Sequence, residues 1–203
     1  MPAKTAQAGI YSEAAAYDKF AAAFLFVLSF SFQGTLRMRY WLMKSEPDEV
    51  SFADVIKAPG RTVAWFGVRN YQARNFMRDQ MQVGDGVLFY HSSCAVPGVA
   101  GIAKVASGAY PDASQFEPDS HYFDPKATRE QPRWISVDVT AVAEGRYLPL
   151  ADMRGVPELE DMVLLQKGSR LSVSPVTQGQ WNKVLELMGV GWTALPSTRS
   201  TAA

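Results

Sequence analysis

The chain predicts an α+β fold: a small mixed barrel of short strands flanked by short helices. Three observations carry this. Strand-patterned runs at residues 39–44, 87–91, 99–105 and 134–142 are interspersed with short helical patterns. The two kinds of element do not alternate regularly, as a doubly wound parallel sheet requires. No phosphate-cradling glycine loop is present either, since no helical pattern follows Gly98 and Gly101.

Taken in order, the strand at 39–44 is broken by Ser45-Glu46-Pro47-Asp48. Ser51 caps a short helix at 52–57, which Pro59-Gly60 ends. A second helix starts near Asn70 and runs to 81, because Ala73, Phe76, Met77 and Gln80-Met81 share a face at spacings of three and four. Asn70 is an acceptable N-cap there. The turn Val83-Gly84-Asp85-Gly86 feeds a buried strand at 87–91, and Pro97-Gly98 closes the connection to a pleated strand at 99–105. Residues 108–131 are polar and hold three prolines (Pro111, Pro118, Pro125), which reads as a long functional or mobile loop. A strand at 134–142 follows, then short helices or turns at 148–154 and 158–165, then an alternating strand at 171–176. Thr177 caps a last helix at 180–188, with Trp181, Val184, Leu185 and Met188 on one stripe.

The 203 residues carry 20 Lys+Arg and 20 Asp+Glu, so no net charge draws the protein onto a phosphate backbone. Any nucleic-acid role must rest on a pocket and a local patch. Cys94 is the only cysteine, which excludes an internal disulfide and suits a reducing, cytoplasmic setting. With His91 and His121 the only histidines, no multi-ligand Cys/His zinc site can be assembled, and neither a metal nor a cofactor is expected. The apolar run at 20–32 falls short of the roughly 20 residues a spanning helix needs. It has the length of a signal-peptide core, but Glu13 and Asp18 precede it and no small-residue cleavage site follows. A packed or interfacial helix is the second alternative. A natural start at Met38, directly before the first strand, accounts best for this segment. The expected organisation is an extension at 1–37, a domain at 38–189 and a disordered Ser/Thr-rich tail at 190–203, with no membrane partner.

The most informative stretch is 65–75, Trp-Phe-Gly-Val-Arg-Asn-Tyr-Gln-Ala-Arg-Asn. Carboxamides donate and accept in a planar fork, and aromatic rings stack on flat heterocycles. Trp65, Phe66 and Tyr71 alone read equally well as core. Interleaved with Arg69, Asn70, Gln72 and Asn75, they suit a nucleobase held in a pocket.

The chain resembles the EVE domain family of the PUA-like superfamily, whose relatives include the thymocyte nuclear protein. The residues that carry the resemblance are Tyr40-Trp41-Leu42-Met43-Lys44-Ser45-Glu46-Pro47 and the whole of 65–75. Further on come Val83-Gly84-Asp85, Phe89-Tyr90-His91-Ser92, Gly101-Ile102-Ala103, Pro132-Arg133-Trp134 and Arg170-Leu171-Ser172-Val173-Ser174-Pro175-Val176. Together they cover the chain from Met38 to about Gly189. The resemblance implies a PUA-like mixed β pseudo-barrel with one pocket that reads modified bases in DNA or RNA, without catalysis. It also implies a pocket lined by Lys44, Ser45 and Glu46, by Trp65, Gly67, Val68, Arg69, Asn70, Tyr71 and Gln72, by Tyr90, His91 and Ser92, and by Ser172 and Ser174. Within that set, Trp65 or Tyr90 is expected to stack on the base, while Asn70, Gln72 or a backbone amide reads its edge. Ser45 and Ser92 trim specificity, and Lys44, Arg69 and Arg74 contact phosphates. Arg74 and Arg78, one helical turn apart, fit a solvated helix face equally well.

Two other classes compete. Cys94 or Ser92 activated by His91 would make a hydrolase, but a nucleophile also needs a group that orients its base. A nucleoside sensor or protein-interaction module would use the same cavity. In the long loop, His121-Tyr122-Phe123-Asp124 is placed to act as a lid, and Asp119 with Asp124 forms a weak divalent-ion motif.

Overall fold

Strand β1 (Tyr40–Ser45) organises the domain. Tyr40 and Leu42 face one way, Trp41 and Met43 the other, and all four are buried. A strand that is apolar on both sides needs cover on both sides. Two cores supply it. Trp41 and Met43 pack with Phe52 and Val55 of helix α1 (Phe52–Lys57) and with Ala73 and Met77 of helix α2 (Tyr71–Asp79). Tyr40 and Leu42 pack with Met153 of the short helix α3 (Leu150–Met153) and with Trp181, Val184 and Met188 of helix α4 (Gln178–Met188). The structure, a computed structural model, describes residues 38–191. The expectations for the extension at 1–37, its apolar run and the tail beyond 191 lie outside the described residues.

The other strands are β2 (Thr62–Trp65), β3 (Gly86–His91), β4 (Gly98–Val105), β5 (Tyr110–Pro111), β6 (Ile135–Ala143), β7 (Leu148–Pro149) and β8 (Val173–Val176). Their order is β2-β6-β4-β3-β1-β8, with β5 added to β6 and β7 to β4. β1 and β3 are parallel, Leu42 lying opposite Leu88, and the remaining pairs are antiparallel. β2 and β8 end the path and do not pair with each other among the described residues, so the sheet is a mixed, unclosed pseudo-barrel. The fold is thus α+β, as the irregular mixture of short elements predicts. The sequence did not reveal β2, nor the two-residue strands β5 and β7 inside the segments read as a loop and as helix or turn, and the last helix begins at Gln178 rather than at residue 180.

Local chemistry fixes the elements that matter for the site. Ser51 and Asp54 form a reciprocal capping box at the start of α1, and Thr177 and Gln180 do the same for α4. The buried Asp85 carboxylate accepts from the Arg39 amide (3.0 Å), the Trp41 indole (2.9 Å) and the Gln82 amide (3.0 Å), tying the turn before β3 to β1. Gly101 on β4 lets α1 approach the sheet, since a Cβ there would lie 2.0 Å from the Phe52 ring.

The segment 108–131 is ordered around Gln115, which is fully buried. Its oxygen accepts from the Arg133 amide (2.8 Å) and the Trp134 amide (3.0 Å), and its nitrogen donates to the Asp112 (2.7 Å) and Trp134 (2.9 Å) carbonyls. All four positions of that carboxamide are therefore satisfied. Asp124 is occupied by the Trp134 indole (2.7 Å) and by Arg133 (3.3 Å), which uses up one half of the divalent-ion motif. Among the described residues no helix is long and apolar enough to cross a membrane.

Candidate functional site

A cleft of about 360 Å³ opens where five chain segments meet, within the roughly 300–1,000 Å³ range of small-ligand sites. Lys44 and Ser45 come from the end of β1, and Glu46, Glu49 and Val50 from the turn after it. β2 and its continuation supply Val63 to Val68, the end of β3 leads into Ser92 and Ser93, and Arg170 and Ser172 precede β8. Tyr122 closes the ring from the long loop. Val50, Val63, Trp65 and Val68 give the cleft its apolar wall.

Backbone hydrogen bonds lock these segments together. The Lys44 amide donates to the Ser172 carbonyl (2.8 Å), and the Ser92 amide to the Ser45 carbonyl (2.8 Å). The Ser45 hydroxyl donates to the Val50 carbonyl at 2.7 Å and closes the turn between β1 and α1. Ser93 sits in the left-handed region (φ 51°) and donates to the Glu46 carboxylate at 2.8 Å. Lys44 is half-buried and makes no ion pair among the described residues, and burial pushes its ammonium pKa below the usual lysine value. It is the cation most available to a ligand inside the cleft. Arg170, exposed at the rim, has no ion pair among the described residues either.

Tyr122 is held over the cleft by a knot of charges. Asp112, almost wholly buried, accepts from Arg69 (2.8 Å), from the Gly67 amide (2.9 Å), and from the amide (2.9 Å) and hydroxyl (2.6 Å) of Ser114. Burial raises the carboxyl's pKa, but the hydrogen bonds from Arg69, Ser114 and Gly67 outweigh it and hold it below the ordinary value. The Arg69 guanidinium also donates to the Tyr122 carbonyl at 2.9 Å and lies over the Tyr122 ring. The phenol donates to Glu49 across the cleft, so burial and that carboxylate both raise its pKa. Gly67 makes the bed for this ring: its φ is +79°, and a Cβ there would lie 2.7 Å from Tyr122. The lid expected at 121–124 is thus a strap, with Tyr122 as its contact.

A family model, the EVE domain, matches residues 39–187, the span that builds both cores and the cleft. The chain belongs to the EVE domain family. It is 40% identical over 166 residues to human thymocyte nuclear protein 1, covering 73% of each chain. A crystal structure of a Pseudomonas syringae protein is 51% identical and superposes with a TM-score of 0.70, over 73% of this chain and 99% of that one. A crystal structure of human THYN1 in complex with DNA containing 5-methylcytosine is 39% identical, with a TM-score of 0.69, over 76% of this chain and 99% of that one.

In this EVE domain the cleft brings together Lys44, Ser45, Glu46, Trp65, Gly67, Val68, Ser92 and Ser172. The other residues expected at the pocket lie elsewhere. Tyr90 is on the opposite face of β3, buried in the second core with Leu88 and Leu148, and burial pushes its phenol up to about 12. It offers no face to a ligand. Ser174 faces that second core too, since it pairs with Leu42. The Asn70 carboxamide accepts the Ala73 amide (3.0 Å) as the cap of α2, and Gln72 is exposed in the first turn of the same helix outside the cleft. Tyr71 stacks on Trp134 (5.0 Å) with Arg74 at 4.7 Å from its ring, on the surface rather than in the cleft. Arg69 is consumed by Asp112 and Tyr122, which removes it from phosphate contact, whereas Arg74 has no carboxylate partner among the described residues. Trp65 lines the cleft but is only 6% exposed, edge-on to Phe89 at 5.1 Å, so it forms a wall and not an open stacking face.

His91 is committed to structure. Its Nε2 accepts the Phe52 amide at 3.1 Å, where α1 begins, and burial lowers its pKa against the opposing charge of Asp54. The Tyr147 hydroxyl near Cys94 donates to the Val96 carbonyl, no hydrogen bond joins Cys94 to His91 among the described residues, and the Ser92 hydroxyl donates to the Ser45 carbonyl (3.3 Å). None of His91, Ser92 and Cys94 forms a nucleophile–base pair. Because the folded pKa of His91 lies below the unfolded 6.5, its contribution to stability is complete above that value and is lost as pH falls through the folded pKa. Denaturant titrations across pH 7.5 to 4.5 are expected to show this loss in the wild type, and a His91→Gln variant should lack that step.

Sequence reasoning passed over Glu49, Val50, Val63, Ala64, Ser93 and Arg170 as cleft residues. Phe66 was legible: along β2 and its continuation Trp65 is buried and Phe66 exposed, the period of two that a strand imposes. Glu49 reaches the cleft only through a turn whose course no periodicity encodes.

Proposed function

We propose that this EVE domain is a non-catalytic reader of nucleic acid, DNA or RNA, that draws a modified or unpaired base into the cleft. The observation that carries this reading is a base-sized opening whose lining combines apolar Val50, Val63, Trp65 and Val68 with Glu46, Glu49 and Lys44, the last without an ion pair among the described residues. The 39%-identical human THYN1, crystallised with 5-methylcytosine-containing DNA, adds support. Lys44 would donate to a ring carbonyl or nitrogen, and Glu46 would accept from an exocyclic amine. A methyl group adds about 0.8 kcal/mol when buried, roughly a fourfold preference. Arg170 at the rim and Arg74 on α2 would hold phosphates, and with so few cations the salt dependence should be shallow. The commitments of His91 and Ser92 support the absence of catalysis, and a cytoplasmic setting belongs to the same proposal.

Binding is best tested by titrating oligonucleotides bearing 5-methylcytosine, modified adenine or unmodified bases, and the free nucleosides, at two salt concentrations. A modified oligonucleotide should bind several-fold tighter than its parent. Lys44→Ala should weaken it at least about tenfold, the worth of a charged hydrogen bond. Equal affinity for the free nucleoside, with no salt dependence, would instead make the cleft a small-molecule sensor.

A further inference from the structure

Phe66 is an exposed large hydrophobic residue that also lines the cleft. It is 42% exposed, between Trp65 at 6% and Val68 at 3%. Its ring stands edge-on to Tyr122 at 5.9 Å and 79°, and no other ring or guanidinium packs on it among the described residues. Tyr71, of similar exposure, has Trp134 and Arg74 against its ring and lies outside the cleft lining. Phe66 is also well positioned. Tyr122, against which it leans, is tied to Arg69 and Glu49, and the next residue, Gly67, is fixed by Asp112. An apolar ring at the mouth of the cleft, supported from behind and open in front, is placed to meet what lies beside a captured base.

We propose that Phe66 is a wedge for duplex nucleic acid: as a base swings into the cleft, the ring enters the stack at the position it leaves. This rests on the reader function above and adds to it a preference for the double-stranded form. Flipping leaves two neighbouring base pairs with bare faces, and an inserted apolar side chain covers them. A single strand has no such gap, so the ring gains little there. Its contribution is therefore conditional on the duplex.

The test compares wild type, Phe66→Ala and Phe66→Leu on one modified sequence, as a single strand and as a duplex, with 2-aminopurine next to the modified base. Phe66→Ala should weaken duplex binding about ten- to hundredfold, the size of a lost stacking contact, and weaken single-strand binding, where the ring only lines the cleft, by a factor at least about fivefold smaller. Phe66→Leu should restore much of the duplex affinity. The 2-aminopurine signal should rise on wild-type binding to the duplex and fall short of that rise with Phe66→Ala. Equal losses on both forms would make Phe66 an ordinary wall of the cleft and overturn the wedge, as would no loss on either. If wild type itself fails to prefer modified over unmodified oligonucleotide in either form, the reader function fails, and the wedge with it.

Discussion

Replacing Asp112 with alanine is expected to destabilise the domain by roughly 3 kcal/mol and to release the strap over the cleft. The carboxylate is almost fully buried and accepts from Arg69, from the Gly67 amide and from Ser114 twice, so its removal strands a guanidinium and a backbone donor together. Arg69 retains some solvent contact, its side chain being 22% exposed, which keeps the cost below that of a fully sealed charge. At this chain length the loss corresponds to a fall in melting temperature of about 6–12 °C. Limited proteolysis within 108–131 should accelerate, and binding of modified oligonucleotide should weaken because Tyr122 no longer covers the cleft. Acidification gives an independent check. The folded carboxyl lies below its unfolded value of about 3.9, so its stabilisation is complete above that pH and is lost as pH falls through the folded pKa. Asp112→Ala should therefore lose less stability than wild type on going below about pH 4. A variant as stable as wild type, with its loop equally resistant, would mean that the knot does not hold the strap.

Gly101→Ala is expected to be about as damaging, by a different route. The added Cβ would stand 2.0 Å from the Phe52 ring, which is 3% exposed and has Phe89 beside it at 5.3 Å. Neither ring has room to retreat, so α1 must lift from the sheet. Overpacking of this kind costs roughly 1–3 kcal/mol, and more where the neighbours are rigid. Helix α1 carries the turn that contributes Glu46, Glu49 and Val50 to the cleft, so binding should fall with stability. Chemical denaturation measures the first and oligonucleotide titration the second. Phe52→Leu in the same chain should recover part of both, because the smaller side chain makes space for the methyl group.

The architecture was largely legible in the sequence, and the reasons are local. β1, β3 and β4 announce themselves by apolar runs closed by turn residues, and α1 and α4 by capping boxes at Ser51 and Thr177. β2 was obscured because Thr62-Val63-Ala64-Trp65 is short and half-buried and gains its strand character by pairing with β6. Asn70 shows where local reading of the site misleads. The carboxamide oxygen that marks the start of α2 accepts the Ala73 amide in starting it, and the residue stands outside the cleft lining. Arg69 fails likewise, since its partner Asp112 lies 43 positions away and nothing nearby marks the pair. Lys44 and Glu46 were found because the strand that presents them is itself easy to recognise.

β1 lies between β3 and β8, so the first and last strands of the domain are neighbours. During translation, one flank of β1 stays bare until residue 176 has left the ribosome. The nascent polypeptide thus leaves the backbone edge of β1 unpaired while every strand between β1 and β8 is made, a state that favours chaperone capture and slow maturation.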